Sequence, residues 1–124
     1  MEKLVVHGML VSLNEAIASA KKHWSAYASI KKRLTNQVCT LAMAQRIEPF
    51  DTPVVIRMTL YPHNRKTDPD NLLINSKWVL DGLVAAGVLA DDGPKQIAGL
   101  EFKFSVDRVN PRVVVEIEEA DEPS

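Results

Sequence analysis

The chain has 124 residues, 46% of them hydrophobic, which predicts one domain with a workable but modest core. No apolar run approaches the length of a membrane span, the N-terminus lacks a signal-peptide pattern, and the single cysteine, Cys39, excludes an internal disulfide and suits a reducing cytoplasm. The net charge of -1 is unevenly spread: residues 113–124 hold Glu116, Glu118, Glu119, Asp121 and Glu122 without a Lys or Arg, leaving all 15 Lys and Arg against 11 of the 16 acids elsewhere. The acidic end reads as a solvated tail, and the rest as a mildly basic surface that suits a polyanionic partner.

In chain order, residues 3–11 are rich in β-branched and apolar residues and predict a strand. Ser12 and Asn14 follow as helix N-caps, with Glu15 three residues after Ser12 as a capping-box partner. From 14 to about 44 there is no Gly or Pro. Ile17, Ala20, Trp24, Tyr27, Ile30, Leu34, Val38 and Leu41 recur there at spacings of three and four. This predicts one long helix, or two with a break near Thr35-Asn36. A helix of that length must extend past the core or pack on another subunit. Cys39 sits in its apolar pattern and reads as a small buried hydrophobe rather than a nucleophile. The same stretch carries Lys21-Lys22-His23 and Lys31-Lys32-Arg33. Such clusters are commonly just a solvated helix face; the functional reading is a row of phosphate contacts from Lys31, Lys32 and Arg33. His7, His23 and His63 show no metal-ligand spacing.

Glu48 to Pro53 is a loop by composition, and 54–61 alternates as a strand. It leads into Arg65-Lys66-Thr67-Asp68-Pro69-Asp70-Asn71. Pro69 pushes Asp68 toward extended geometry, in which side chains two apart share a side, so Asp68 and Asp70 are expected to converge. Asp70 and Asn71 suit a helix start. The helix beyond them is expected to bury Leu73, Ser76, Leu80, Leu83 and Val84, with Asp70, Ile74, Lys77 and Asp81 on a neighbouring stripe. On spacing alone, Lys77 and Asp81 read as a surface pair at i,i+4. Gly87-Val88-Leu89 then turns toward Asp91-Asp92, and Gly93-Pro94 makes a further turn. Strands over 96–106 and 113–117, separated by Asn110-Pro111, can form a hairpin. The expected architecture is α+β: one domain, a small mixed sheet with helices on one face, and a shorter helix packed on the long one.

Two acid pairs brought together would repel unless a cation sat between them. Asp68, Asp70, Asp91 and Asp92 are therefore candidate ligands of a divalent ion, with Mg²⁺ preferring a few carboxylates and retained waters. Such an ion serves phosphodiester hydrolysis. Arg65 and Lys66 either balance these acids or grip a phosphate beside the scissile one.

The residues resemble the RusA-type Holliday junction resolvases, small endonucleases often encoded by phages and prophages. The likeness lies in Asp68-Pro69-Asp70-Asn71 after a basic pair, Lys77 one turn before Asp81, and Gly87-Val88 leading to Asp91-Asp92, about a quarter of the chain. It implies a nuclease domain over 1–117 and an acidic tail over 118–124. It also implies a metal cluster of Asp68, Asp70 and Asp92 with Asp91 as a lesser contributor, Lys77 as the essential lysine, and Mg²⁺ (or Mn²⁺) dependence. A homodimer that makes paired nicks across a four-way DNA junction is implied as well. No organic cofactor and no membrane enter this reading, and the compartment it implies is the cytoplasm of a bacterial host or phage-infected cell. This chain departs from the family pattern in a longer interval between Asn71 and Lys77 and in the turn Gly93-Pro94-Lys95. Three other readings compete: a calcium loop, which lacks an oxygen ligand at Leu72 and a downstream Glu; a DNA-binding module without catalysis; and a nuclease acting on flaps or RNA.

Overall fold

The computed structural model describes residues 1–8 and 12–120, with Leu13 described by its backbone alone. The elements are β1 (Glu2–His7), α1 (Leu13–Lys22), α2 (Trp24–Ala44), β2 (Val54–Tyr61), the single turn α3 (Pro69–Leu72), α4 (Asn75–Ala85), β3 (Ile97–Phe104) and β4 (Arg112–Glu119). They form the expected single α+β unit around a four-stranded mixed sheet of order β1-β4-β2-β3. Residues 9–11, the end of the first expected strand, lie outside the described residues.

Alternation decides the sheet's faces. Val54, Ile56, Met58 and Leu60 of β2 are buried, while the residues between them are only partly so. Val38 and Ala42 of α2, and Val79 and Leu83 of α4, join them in one core with Leu4, Val115 and Ile117. On the opposite face Arg57 bridges the strands, reaching Glu101 at 2.5 Å and also pairing with Glu118. Its pKa is raised, chiefly by the hydrogen bond to Glu118.

Four expectations change. The long helix breaks at His23, not near Thr35-Asn36: His23 is extended (φ -164, ψ 119), and its Nδ1 accepts from the Ser25 N–H at the start of α2. The last two strands make no hairpin. β3 runs parallel to β2, whereas β4 lies antiparallel between β1 and β2. The acidic tail starts later than 118, because Glu118 and Glu119 are the last residues of β4. Finally, the buried side of the helix after Asp70 is Leu72, Asn75, Trp78, Val79, Gly82 and Leu83, so of the five expected residues Leu83 alone is fully buried. Asn75 takes a core position because its side chain donates to the Leu72 carbonyl at 2.9 Å and accepts from Trp78 Nε1 at 2.9 Å.

Candidate functional site

After Tyr61 the chain leaves the sheet through residues 62–67 and turns into α3. Asp68 is extended (φ -63, ψ 144), Pro69 stands at the first turn, and the Asp68 side chain makes no capping hydrogen bond. Its carboxylate therefore stays exposed and unspent. Arg65, Thr67, Asp68 and Pro69 line an open hollow of about 450 Å³ together with Phe104, Ser105 and Val106. The hollow thus sits where the parallel strands β2 and β3 both end. Asp70 is exposed in the first turn of α3, so only Asp68 of the pair has the extended backbone expected of both.

The second acid pair is elsewhere. Asp91 and Asp92 are exposed, and Asp91 Oδ1 accepts from the Asp92 N–H at 2.8 Å. Their segment is tied to the head of β2: Phe50 N–H donates to the Val88 carbonyl and Val54 N–H to the Gln96 carbonyl, both at 2.9 Å. Gln96 Nε2 adds a bond to the Thr52 carbonyl at 3.1 Å. β2 pairs with β3 from Val54↔Ile97 to Leu60↔Phe104, so Asp91-Asp92 lies before one end of this pair and Asp68 beyond the other. At about 3.3 Å per residue, six steps along the pair span roughly 20 Å. Within one chain the expected cluster of Asp68, Asp70, Asp91 and Asp92 is not assembled. Among the described residues, no three His, Cys, Asp or Glu side chains are grouped to hold a metal ion.

Lys77 is exposed on α4. Leu73 (φ -62, ψ -20) and Ile74 (φ -55, ψ -27) keep helical backbone between Asp70 and Lys77, and the Ser76 N–H to Leu73 and Lys77 N–H to Ile74 carbonyl bonds tighten the path locally. Asp81 has its described ion pair with Lys31 Nζ of α2, at 3.9 Å, in place of the expected pair with Lys77.

Lys31 and Lys32 line a second open hollow with Trp24, Tyr27, Thr35 and Asp81, while Arg33 is exposed on the same helix. Trp24 is 75% exposed, although its spacing makes it a rung of the apolar ladder. It directly follows Lys21-Lys22-His23 in the sequence. Arg65 and Lys66 are exposed in the loop after β2.

The chain matches no family model and no curated protein. The likeness to RusA-type resolvases accordingly rests on the motif residues alone. No helix among the described residues is long and apolar enough to cross a membrane.

Proposed function

We propose that the chain is a divalent-metal-dependent endonuclease that resolves four-way DNA junctions by paired nicks, as its motif residues imply. The observation that carries this reading is the hollow at the ends of β2 and β3, where Arg65 and an uncommitted Asp68 carboxylate stand together. Mg²⁺ needs only one or two carboxylates besides waters and substrate phosphate, so Asp68 with Asp70 nearby fits as the start of its site. Mn²⁺ would serve in its place. When bound, the ion polarises the phosphoryl oxygens and lowers the pKa of attacking water.

The chain's own groups divide the remaining work. Asp68 and Asp70 supply negative charge at the hollow; the resemblance also assigns Asp92 and, less centrally, Asp91 to the donor set, although one chain holds them at the other end of the β2–β3 pair. Arg65 and Lys66 hold a flanking phosphate. Lys77 is the lysine assigned to charge developing in the transition state. Lys31, Lys32 and Arg33 bind backbone phosphates, and Trp24 offers a stacking surface beside them.

Labelled mobile four-way junction, linear duplex, flap and RNA substrates, each with Mg²⁺ or EDTA, test this reading with wild type and Asp70→Asn. Symmetric Mg²⁺-dependent nicks on the junction alone, lost in the variant, are expected. Equal cutting of linear or flapped DNA would keep the site and discard the junction. The separation of the acid pairs in one chain favours a second reading, a DNA-binding module without catalysis. Tight junction binding with no cutting under either metal would select it.

A further inference from the structure

The first half of α2 lays one stripe of residues along an open hollow. Trp24, Tyr27, Ala28, Lys31, Lys32 and Thr35 recur at spacings of three and four, so all six lie on one side of the helix. Asp81 of α4 lines the hollow from the facing helix, and the space enclosed is about 400 Å³. Ala28 keeps it open, because a long side chain one turn after Trp24 and one turn before Lys32 would fill it. Tyr27 is half-buried and packs against the small core of Ala16, Leu34 and Trp78, which fixes its place. Trp24 belongs to neither core, and at 75% exposed it leaves most of its surface in water. Packing within the chain does not account for an indole there.

We infer that this hollow takes one unpaired base of a DNA strand, stacked on Trp24, with the strand's phosphates lying along α2. Charge complementarity selects the occupant. Lys21 and Lys22 end α1 just before Trp24, and Lys31, Lys32 and Arg33 follow it two turns later, so cations flank the ring on both sides along the chain. Seven residues of helix carry Lys31 about 10 Å beyond Trp24. A free nucleotide keeps its charge at one end, whereas a strand carries phosphate on both sides of each base, and the second pattern matches this surface. Lys31 stands 3.9 Å from Asp81, but among the described residues Lys32 has no ion pair and is left to meet a phosphate. Thr35 supplies an independent observation: its buried hydroxyl has no hydrogen-bond partner among the described residues. Buried polar groups are normally paired, and a polar ring edge entering the hollow can provide that partner. A base inside a duplex is excluded, since its neighbours in the stack cover both of its faces.

The inference deepens the proposed function: it rests on DNA as the ligand, but not on cleavage. The Trp24 hollow shares no lining residue with the Arg65–Asp68 hollow, so binding at one can be measured apart from chemistry at the other. It also narrows the substrate, favouring DNA that exposes unpaired bases in a single-stranded arm or at an opened branch point.

Tryptophan fluorescence of the full chain in EDTA, titrated with oligo(dT), with duplex of equal length and with ATP, tests the site. Trp78 serves as an internal reference, because it is 3% exposed and its Nε1 is bonded to Asn75. Oligo(dT) should quench the Trp24 emission, and Trp24→Phe should abolish the response. In the anisotropy of labelled oligo(dT), Trp24→Ala and Ala28→Leu should each raise the dissociation constant at least about tenfold, with circular dichroism verifying the fold. Lys32→Ala should lower the slope of log affinity against log salt by about 0.7, the share of one phosphate contact on a single strand. Duplex that quenches Trp24 as strongly as oligo(dT), ATP that quenches where oligo(dT) does not, or folded Trp24→Ala and Ala28→Leu chains that bind as wild type would each overturn the inference. A wild type that cuts no substrate in Mg²⁺ would instead refute the nuclease reading, with the EDTA titrations still deciding this site.

Discussion

Asp107 shows how one side chain can set the geometry of a strand's start. Its carboxylate accepts from the Asn110 N–H at 3.0 Å and the Val109 N–H at 3.1 Å, and pairs with Arg112 at 2.7 Å. Arg112 in turn lies 3.9 Å from the centre of the Tyr61 ring. The Asn110 bond, then the Arg112 bond, hold the Asp107 pKa below its ordinary 3.8. A depressed folded pKa means that the stabilising contribution is complete above that ordinary value and is lost as pH falls through the folded one. Asp107→Asn should therefore lower the urea midpoint at neutral pH, and the gap to wild type should close in acid. A gap that stays constant with pH would show that the charge of this carboxylate is irrelevant. The residues of the candidate site differ in kind, since Asp68, Asp70, Asp91 and Asp92 are all exposed. Their motif was readable in the sequence because exposed acids around a proline have no packing reason to be there. Their separation was not readable, since it depends on which strands pair.

The contact between α2 and α4 turns on Gly82. A Cβ added there would stand 2.5 Å from both Cβ and Cγ1 of Val38 and 3.0 Å from the Thr35 carbonyl oxygen. The helices can approach this closely only because the side chain is missing, so Gly82→Ala should destabilise by about 1–3 kcal/mol. Equilibrium urea unfolding checks it, and an unchanged midpoint would mean that the helices separate at no cost. Hydropathy reading cannot see such a position. Gly82 and Asn75 count as non-hydrophobic, yet both are buried, which is why the expected apolar stripe was misplaced around α4. The break at His23 was hidden for a similar reason: an imidazole nitrogen replaces the Ser, Thr, Asp or Asn that normally announces an N-cap. The Ser12 cap was readable because its Oγ accepts from the Glu15 N–H as the capping pattern predicts. For β4 a signal existed. Val113, Val114 and Val115 are all buried, and such a run marks a central strand rather than one arm of a rim hairpin.

At the scale of the molecule, the sheet has two different ends and one open apolar rim. The parallel β2–β3 pair carries Arg65 and Asp68 to one end and leaves Asp91 and Asp92 at the other, while Trp24, Lys31 and Lys32 stand apart on α2. The order of elements was legible, as was the α+β class; the order of strands was not, because β3 and β4 are both compatible with several neighbours by pattern. The proposed resolvase activity requires two equivalent sites on two strands. The most direct test is time-resolved cutting of a supercoiled plasmid that extrudes a cruciform. Paired nicking within one bound complex predicts linear plasmid formed directly in Mg²⁺, none in EDTA and none with Asp70→Asn. Accumulation of singly nicked circles that never linearise, or an uncut plasmid under both Mg²⁺ and Mn²⁺, would contradict the account.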